Sequence, residues 1–205
     1  VLFRSGETTM NEKSDVEILK DLFKDEAQVP VYTREHRVFA ELMEPKTDDS
    51  SVILRGVPQD AFIVKADLFP SPDGVFASKN GECKRADFIV ISEQHRCILF
   101  IELKRTTKEK RHIVQQLKGA KCLVEYCKAI VEHFWENSSF LLDYEERYIC
   151  FRHTGKRIAK QTTRIDENPA LHNVPDKVRM ISQVSSKGIE YNKLAGKPSK
   201  QSVSR

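Results

Sequence analysis

Long apolar runs are missing from this sequence. No stretch approaches the roughly 18 residues a membrane-spanning helix requires, and no basic segment followed by an apolar one opens the chain as a signal peptide would. With 40% apolar and 31% charged residues among 205, the composition is that of a soluble globular protein, and an intracellular setting, cytoplasmic or nuclear, is the expectation. Cysteine is scarce and unpaired. Cys83, Cys97, Cys122, Cys127 and Cys150 show no CxxC or Cys/His spacing, which argues against a zinc knuckle and predicts free buried thiols. A phosphate-binding loop is also lacking: the stretch from Lys118 to Lys121 contains Gly119 without the rest of the pattern, so no nucleotide cofactor is expected.

What the chain does have is unevenly placed positive charge. Its net charge is only +4. Between Lys104 and Lys121, however, seven basic residues face one acid, Glu109, and from Lys156 to Arg205 eleven basic residues face four acidic ones. Clustered cations of this kind suit a polyphosphate backbone, whose counterions they release on binding.

Residues 14 to 27 read as an amphipathic helix with Ser14 as its N-cap, and Pro30 ends it. A second short helix is expected over Arg34 to Met43, then a polar loop from Asp48 to Ser51. Ala61 to Val64, extending toward Phe69, is a candidate strand, and Val75 to Ala77 a short edge. Stronger strand signals follow at Ala86 to Ile91 and Cys97 to Leu103, separated by a tight turn at Gln94 and His95. From Thr106 to Trp135 the residues Ile113, Leu117, Ala120, Val124, Cys127, Val131 and Phe134 step by four and three, the stripe of a long core-facing helix. Arg147 to Arg152 and Val178 to Val184 complete the strands. The reading is thus a flexible segment over 1–13, one α/β domain over 14–184 built on a central mixed sheet flanked by helices, and a basic disordered tail over 185–205.

The stretch CILFIELK alternates Ile98, Phe100, Glu102 and Lys104 on one face with Cys97, Leu99, Ile101 and Leu103 on the other. Both faces begin apolar, as in a central strand, yet one ends in a carboxylate and an ammonium, which are costly there unless paired or metal-bound. The preceding stretch ADFIVI places Asp87 on the same face as Ile89 and Ile91. A turn at Gln94 and His95 makes paired residue numbers sum to 189 and sets Asp87 opposite Glu102. Two carboxylates with side-chain origins about 4.5 to 5.5 Å apart repel each other unless a cation lies between them. A hard divalent ion with oxygen ligands, Mg2+ above all, resolves the conflict.

Asp87 in ADFIV, fourteen intervening residues and then the glutamate of IELK resemble the PD-(D/E)xK pattern of restriction-endonuclease-like nucleases, with Ala86 where that family usually has proline. The resemblance implies a restriction-endonuclease-like α/β/α core and a metal-dependent nuclease, a hydrolase of phosphodiester bonds in DNA rather than RNA. It gives Asp87, Glu102 and the backbone carbonyl of Leu103 as Mg2+ ligands, with Mn2+ as a substitute, and Lys104 as the residue that orients or activates water. Family members often add a glutamine on the following helix. Of Gln115 and Gln116, Gln116 lies roughly 50° from the centre of the apolar stripe and Gln115 roughly 150°, so Gln116 is the candidate. An upstream glutamate is also common, and Glu35, central on the apolar face of the expected helix over Arg34 to Met43, is the candidate. Arg105, Lys108 and Arg111 would hold the nucleic-acid backbone, and cutting two strands suits a homodimer. The alternative is a catalytically silent nuclease-fold protein that binds nucleic acid or serves as a subunit of a larger assembly.

Overall fold

Ser14 starts the first helix as its sequence predicts. Its hydroxyl accepts the Glu17 N–H at 3.2 Å and the Glu17 carboxylate accepts the Ser14 N–H at 2.8 Å, a reciprocal capping box. In the computed structural model, which describes residues 13–43, 51–104, 109–152, 168–182 and 188–196, this helix is α1 (Asp15–Leu22), and it buries Val16, Ile18 and Leu19. It ends sooner than expected, and the remainder is a single 3-10 turn at Asp25–Ala27.

The expected helix over Arg34 to Met43 is instead a hairpin of β1 (Val31–Arg34) and β2 (Arg37–Met43). Glu35 and His36 form its two-residue turn with φ of 49° and 61°, the left-handed pair that matches the twist of flanking strands. Val38, Ala40 and Leu42 then point inward with period two. Apolar residues at 38, 39, 42 and 43 fit a helical repeat almost as well, and pairing with β3 (Ser51–Arg55) settles the choice. That third strand begins where a polar loop was expected.

Five strands form the main sheet: β4 (Phe62–Lys65), β5 (Phe88–Ser92), β6 (Cys97–Lys104), β7 (Glu145–Arg152) and β8 (Arg179–Ser182), in that spatial order. The first three run antiparallel, and β7 and β8 lie parallel to β6. A parallel neighbour needs a crossover, and α2 (Lys110–Phe134) supplies it. The α2 stripe is buried as its spacing requires from Ile113 to Val131, whereas Phe134 is 79% exposed beyond the sheet edge. β4 stops at Lys65, and Ala66–Leu68 turns as a 3-10 segment; residues 75–77 form no strand.

Helices α1 and α2 cover one face of this sheet, around Phe100, Ile89, Leu117 and Tyr148. Among the described residues the other face is not covered by long helices, as the three-layer α/β/α expectation required. A second sheet lies there, in the order β1-β2-β3-β9, with Leu42, Leu54 and Val52 packed on Leu99, Ile101 and Phe151. β9 (Ile189–Glu190) and the short α3 (Asn192–Ala195) close it. These residues fall inside the stretch expected to be a disordered tail, yet Ile189, Tyr191, Leu194 and Ala195 are buried. Their apolar side chains are too few to show a period, so only the partner strand reveals them. The architecture is therefore mixed α/β with two sheets sharing one core. Among the described residues no helix is long and apolar enough to cross a membrane. All five cysteines are free thiols, and Cys97, Cys127 and Cys150 are buried.

Candidate active site

The β5–β6 ladder pairs Phe88 with Ile101 and Ser92 with Cys97, the register that the turn at Gln94 and His95 predicts. Asp87 precedes β5 by one residue, so it continues the ladder to stand across from Glu102. Its backbone carbonyl accepts the Ala66 N–H at 2.8 Å, which ties it to the end of β4. Its carboxylate accepts the Leu103 N–H at 2.6 Å, capping a backbone donor where the regular ladder has ended.

Glu102 has no exposed side-chain surface, and Lys104, two residues along the same face, forms a close ion pair with it. The Lys104 ammonium and the backbone of Asp87 are the hydrogen-bonding groups beside the Glu102 carboxylate. Burial, reinforced by the negative charge of Asp87, pushes the Glu102 carboxyl up to about 8, against the opposing pull of Lys104. For Lys104, burial alone would lower the pKa, but the charges of Glu102 and Asp87 outweigh it and leave the ammonium above its ordinary value. Lys104 is therefore a cation throughout the neutral range.

Glu102 pairs with Cys150 and Lys104 with Arg152 on β7, so a thiol lies beside the carboxylate. Burial raises that thiol to about 12, and Glu102 adds to the effect. The alternation of RYICFR contains this neighbour in principle, once β7 is known to lie in register beside β6.

Helix α2 approaches the site through its two adjacent glutamines. Gln116 donates to the Arg85 carbonyl at 3.2 Å and so braces the segment that leads into Asp87. Gln115, expected on the solvent side, is half-buried: it donates to the Asn80 carbonyl at 2.7 Å and accepts from Lys84 at 2.6 Å. Lys84 also contacts His112 Nδ1 at 2.9 Å. The loop over residues 80–85 folds across α2 and makes both glutamines inward-facing, a contact no helical wheel contains. Close passage depends on Gly119, where a Cβ would sit 1.7 Å from the Lys84 carbonyl oxygen. Arg85 itself lies over the Phe69 ring, 5.1 Å from its centroid, and donates to the Cys83 and Pro70 carbonyls.

The remaining sequence candidates divide. Glu35 is excluded from this cluster: it occupies the exposed β1–β2 turn, on the sheet that covers the opposite face. Arg111 is exposed and lines a cleft of about 500 Å3 with Lys110, Gln115, Lys118, Asn80 and Asp176. Arg105 and Lys108 lie outside the described residues. Another acid, Asp60, stands apart from those candidates at the far end of the sheet, where it accepts from Ser92 Oγ at 3.1 Å and from the Gln94 N–H at 2.7 Å and so fixes the β5–β6 turn.

No group of three or more His, Cys, Asp or Glu side chains among the described residues is arranged to hold a metal. The donor chemistry nonetheless fits a hard cation: two facing carboxyl groups, one of them fully buried, beside a backbone carbonyl at Leu103. Searches of family models, curated proteins and solved structures return no match to this chain.

Proposed function

We propose that this chain is a metal-dependent nuclease of the restriction-endonuclease-like kind, hydrolysing phosphodiester bonds with DNA preferred over RNA. The observation that carries the reading is the cross-strand opposition of Asp87 and Glu102 at the end of a central strand, with Lys104 on the same face. The order of elements agrees with it: α1, the antiparallel run β4-β5-β6, the crossover α2 and the parallel β7 form the mixed sheet that the PD-(D/E)xK resemblance implies.

Asp87, Glu102 and the Leu103 carbonyl would hold Mg2+, with Mn2+ able to replace it. When bound, such an ion polarises the scissile phosphate and acidifies water. Glu102 must give up its proton for that role, and the negative charge so exposed is what the ion neutralises. Lys104, a permanent ammonium in this setting, orients water by donating hydrogen bonds and offsets charge that develops on the phosphate; it is not the base. Gln116 keeps Asp87 in place through Arg85. Arg111, with Lys110 and Lys118 along the outer side of α2, offers cations to the flanking backbone.

A second reading is a nuclease-fold protein that binds nucleic acid without cutting, alone or as a subunit. Two contacts favour it: Lys104 is closed onto Glu102, and Asp87 is committed to the Leu103 N–H. The deciding experiment is cleavage of plasmid, linear, branched and single-stranded substrates with Mg2+, Mn2+ or a chelator, with Lys104→Ala in parallel. Metal-dependent cleavage lost in the variant supports the nuclease. Binding that ignores metal, with no cleavage of any substrate, selects the silent protein.

A further inference from the structure

The second sheet presents an outer face that the cleavage reading does not use. The hairpin register pairs Arg34 with Arg37 and Tyr32 with Phe39, all on the side away from the core. Tyr32 and Phe39 are stacked, with centroids 5.9 Å apart and planes 14° from parallel. Phe39 in turn pairs with Arg55 on β3. Cation, aromatic and cation thus succeed one another over a few ångströms of flat sheet surface.

Two features set this face apart from an ordinary solvated one. Arg34 and Arg37 stand directly opposite each other and neither forms an ion pair among the described residues, whereas Arg55 is held by Glu190 at 3.1 Å. Like charges so placed destabilise a hairpin, and the left-handed turn at Glu35 and His36 leaves them no alternative register. In addition β1 is an edge strand, so the stack ends at Tyr32, which is 43% exposed. The acids Glu41 and Glu190 lie on the other side of the aromatic pair from Arg34 and Arg37. An occupant must therefore bring an anion to the hairpin tip and a flat ring to Tyr32. Nucleic acid carries both, and only an unpaired base can expose its ring to a side chain.

We propose that the outer face of the β1–β2 hairpin binds single-stranded nucleic acid, one base continuing the Tyr32–Phe39 stack and a phosphate bridging Arg34 and Arg37. This goes beyond the nuclease reading and stands without it, because the face is built on the other sheet and needs no metal.

The test is fluorescence anisotropy of the full chain with a labelled single-stranded DNA of about 12 nucleotides, a length within the span of one small binding surface, throughout in chelator so that cleavage plays no part. Tyr32→Ala is expected to weaken binding about tenfold, since a stacked base is worth a factor of that order, and Tyr32→Phe to restore it. Arg34→Gln with Arg37→Gln is expected to flatten the dependence of log affinity on log salt by roughly 0.7, the contribution of the one phosphate the two arginines share on a single strand. At these exposed positions thermal unfolding is expected to move by no more than a few degrees, downward for Tyr32→Ala and upward for the arginine variant, so the fold is kept in both. Equal affinity and salt slope in parent and variants would overturn the proposal. So would a greater loss on duplex than on single-stranded DNA, or displacement of the oligonucleotide by polyglutamate at equal charge, which assigns the face to an acidic protein. Loss of binding in these variants from a protein that cleaves nothing would sustain this face while removing the nuclease reading.

Discussion

Asp87 and Glu102 face each other across two strands, yet their carboxylates have different fates. Asp87 satisfies a backbone N–H, that of Leu103, and Glu102 is sealed beneath it with Lys104 as its only ion-pair partner among the described residues. The pair thus carries an electrostatic conflict, which under the proposed function a divalent cation would relieve.

Replacing Glu102 by Gln keeps its shape and removes the conflict. The expected result is at least a 100-fold loss of metal-dependent cleavage, in line with loss of a main charge-stabilising group, together with a rise in metal-free thermal stability. A variant that cleaves as fast as the parent sinks the assignment.

The raised carboxyl of Glu102 makes metal-free stability depend on pH in an unusual direction. Its folded value of about 8 exceeds the ordinary 4.5, so between these limits the folded state holds more protons than the unfolded chain, and stability falls as pH rises through the window. Urea unfolding in chelator at pH 5, 6, 7 and 8 should show that decline, and Glu102→Gln should flatten it. Mg2+ affinity should climb in the opposite sense, by up to about tenfold per pH unit below 8, because binding displaces the proton.

Gly119 is a packing requirement of the site. Ala at this position would place a methyl 1.7 Å from the Lys84 carbonyl oxygen, and the backbone must move to admit it. Gly119→Ala should lose about 1–3 kcal/mol in chemical denaturation despite its better helix propensity, with cleavage falling alongside as the segment entering Asp87 shifts.

Gln116 and Gln115 should separate kinetically. Gln116→Ala removes the brace on Arg85, so kcat should drop several-fold with KM unchanged and stability lowered by about 1 kcal/mol. Gln115→Ala removes one of the two side-chain contacts of Lys84, the other being His112, and should leave kcat intact because neither belongs to the carboxylate cluster. Steady-state cleavage of a single defined substrate distinguishes the two.

The site's central triad was legible because one strand and one turn contain it. Alternation in CILFIELK places Glu102 and Lys104 on one face, and a short turn transmits that face to Asp87 without knowledge of the rest. Long-range contacts were not legible. Gln115 turns inward only because residues 80–85 cross α2, and Glu35 was misplaced because the apolar spacing of Val38, Phe39, Leu42 and Met43 serves two periods. Tertiary pairing with β3 chose between them, and nothing within the segment does so. The second sheet escaped notice for the same reason: β9 is two residues long and owes its existence to β3.

That last contact bears on how the protein is made. Ile189 pairs with Leu54, and Gly188, with φ of +81° and a Cβ position only 2.2 Å from the Ile53 carbonyl oxygen, lets the backbone pass close enough to do so. On a ribosome, β3 is therefore translated long before the strand that covers its edge. Throughout synthesis of the main sheet and α2 it presents open hydrogen-bonding groups, the kind of edge that invites pairing with another nascent chain. Chaperone dependence during translation, and poor recovery from denaturant at high protein concentration, are the natural consequences of sewing the first sheet shut with a late stitch.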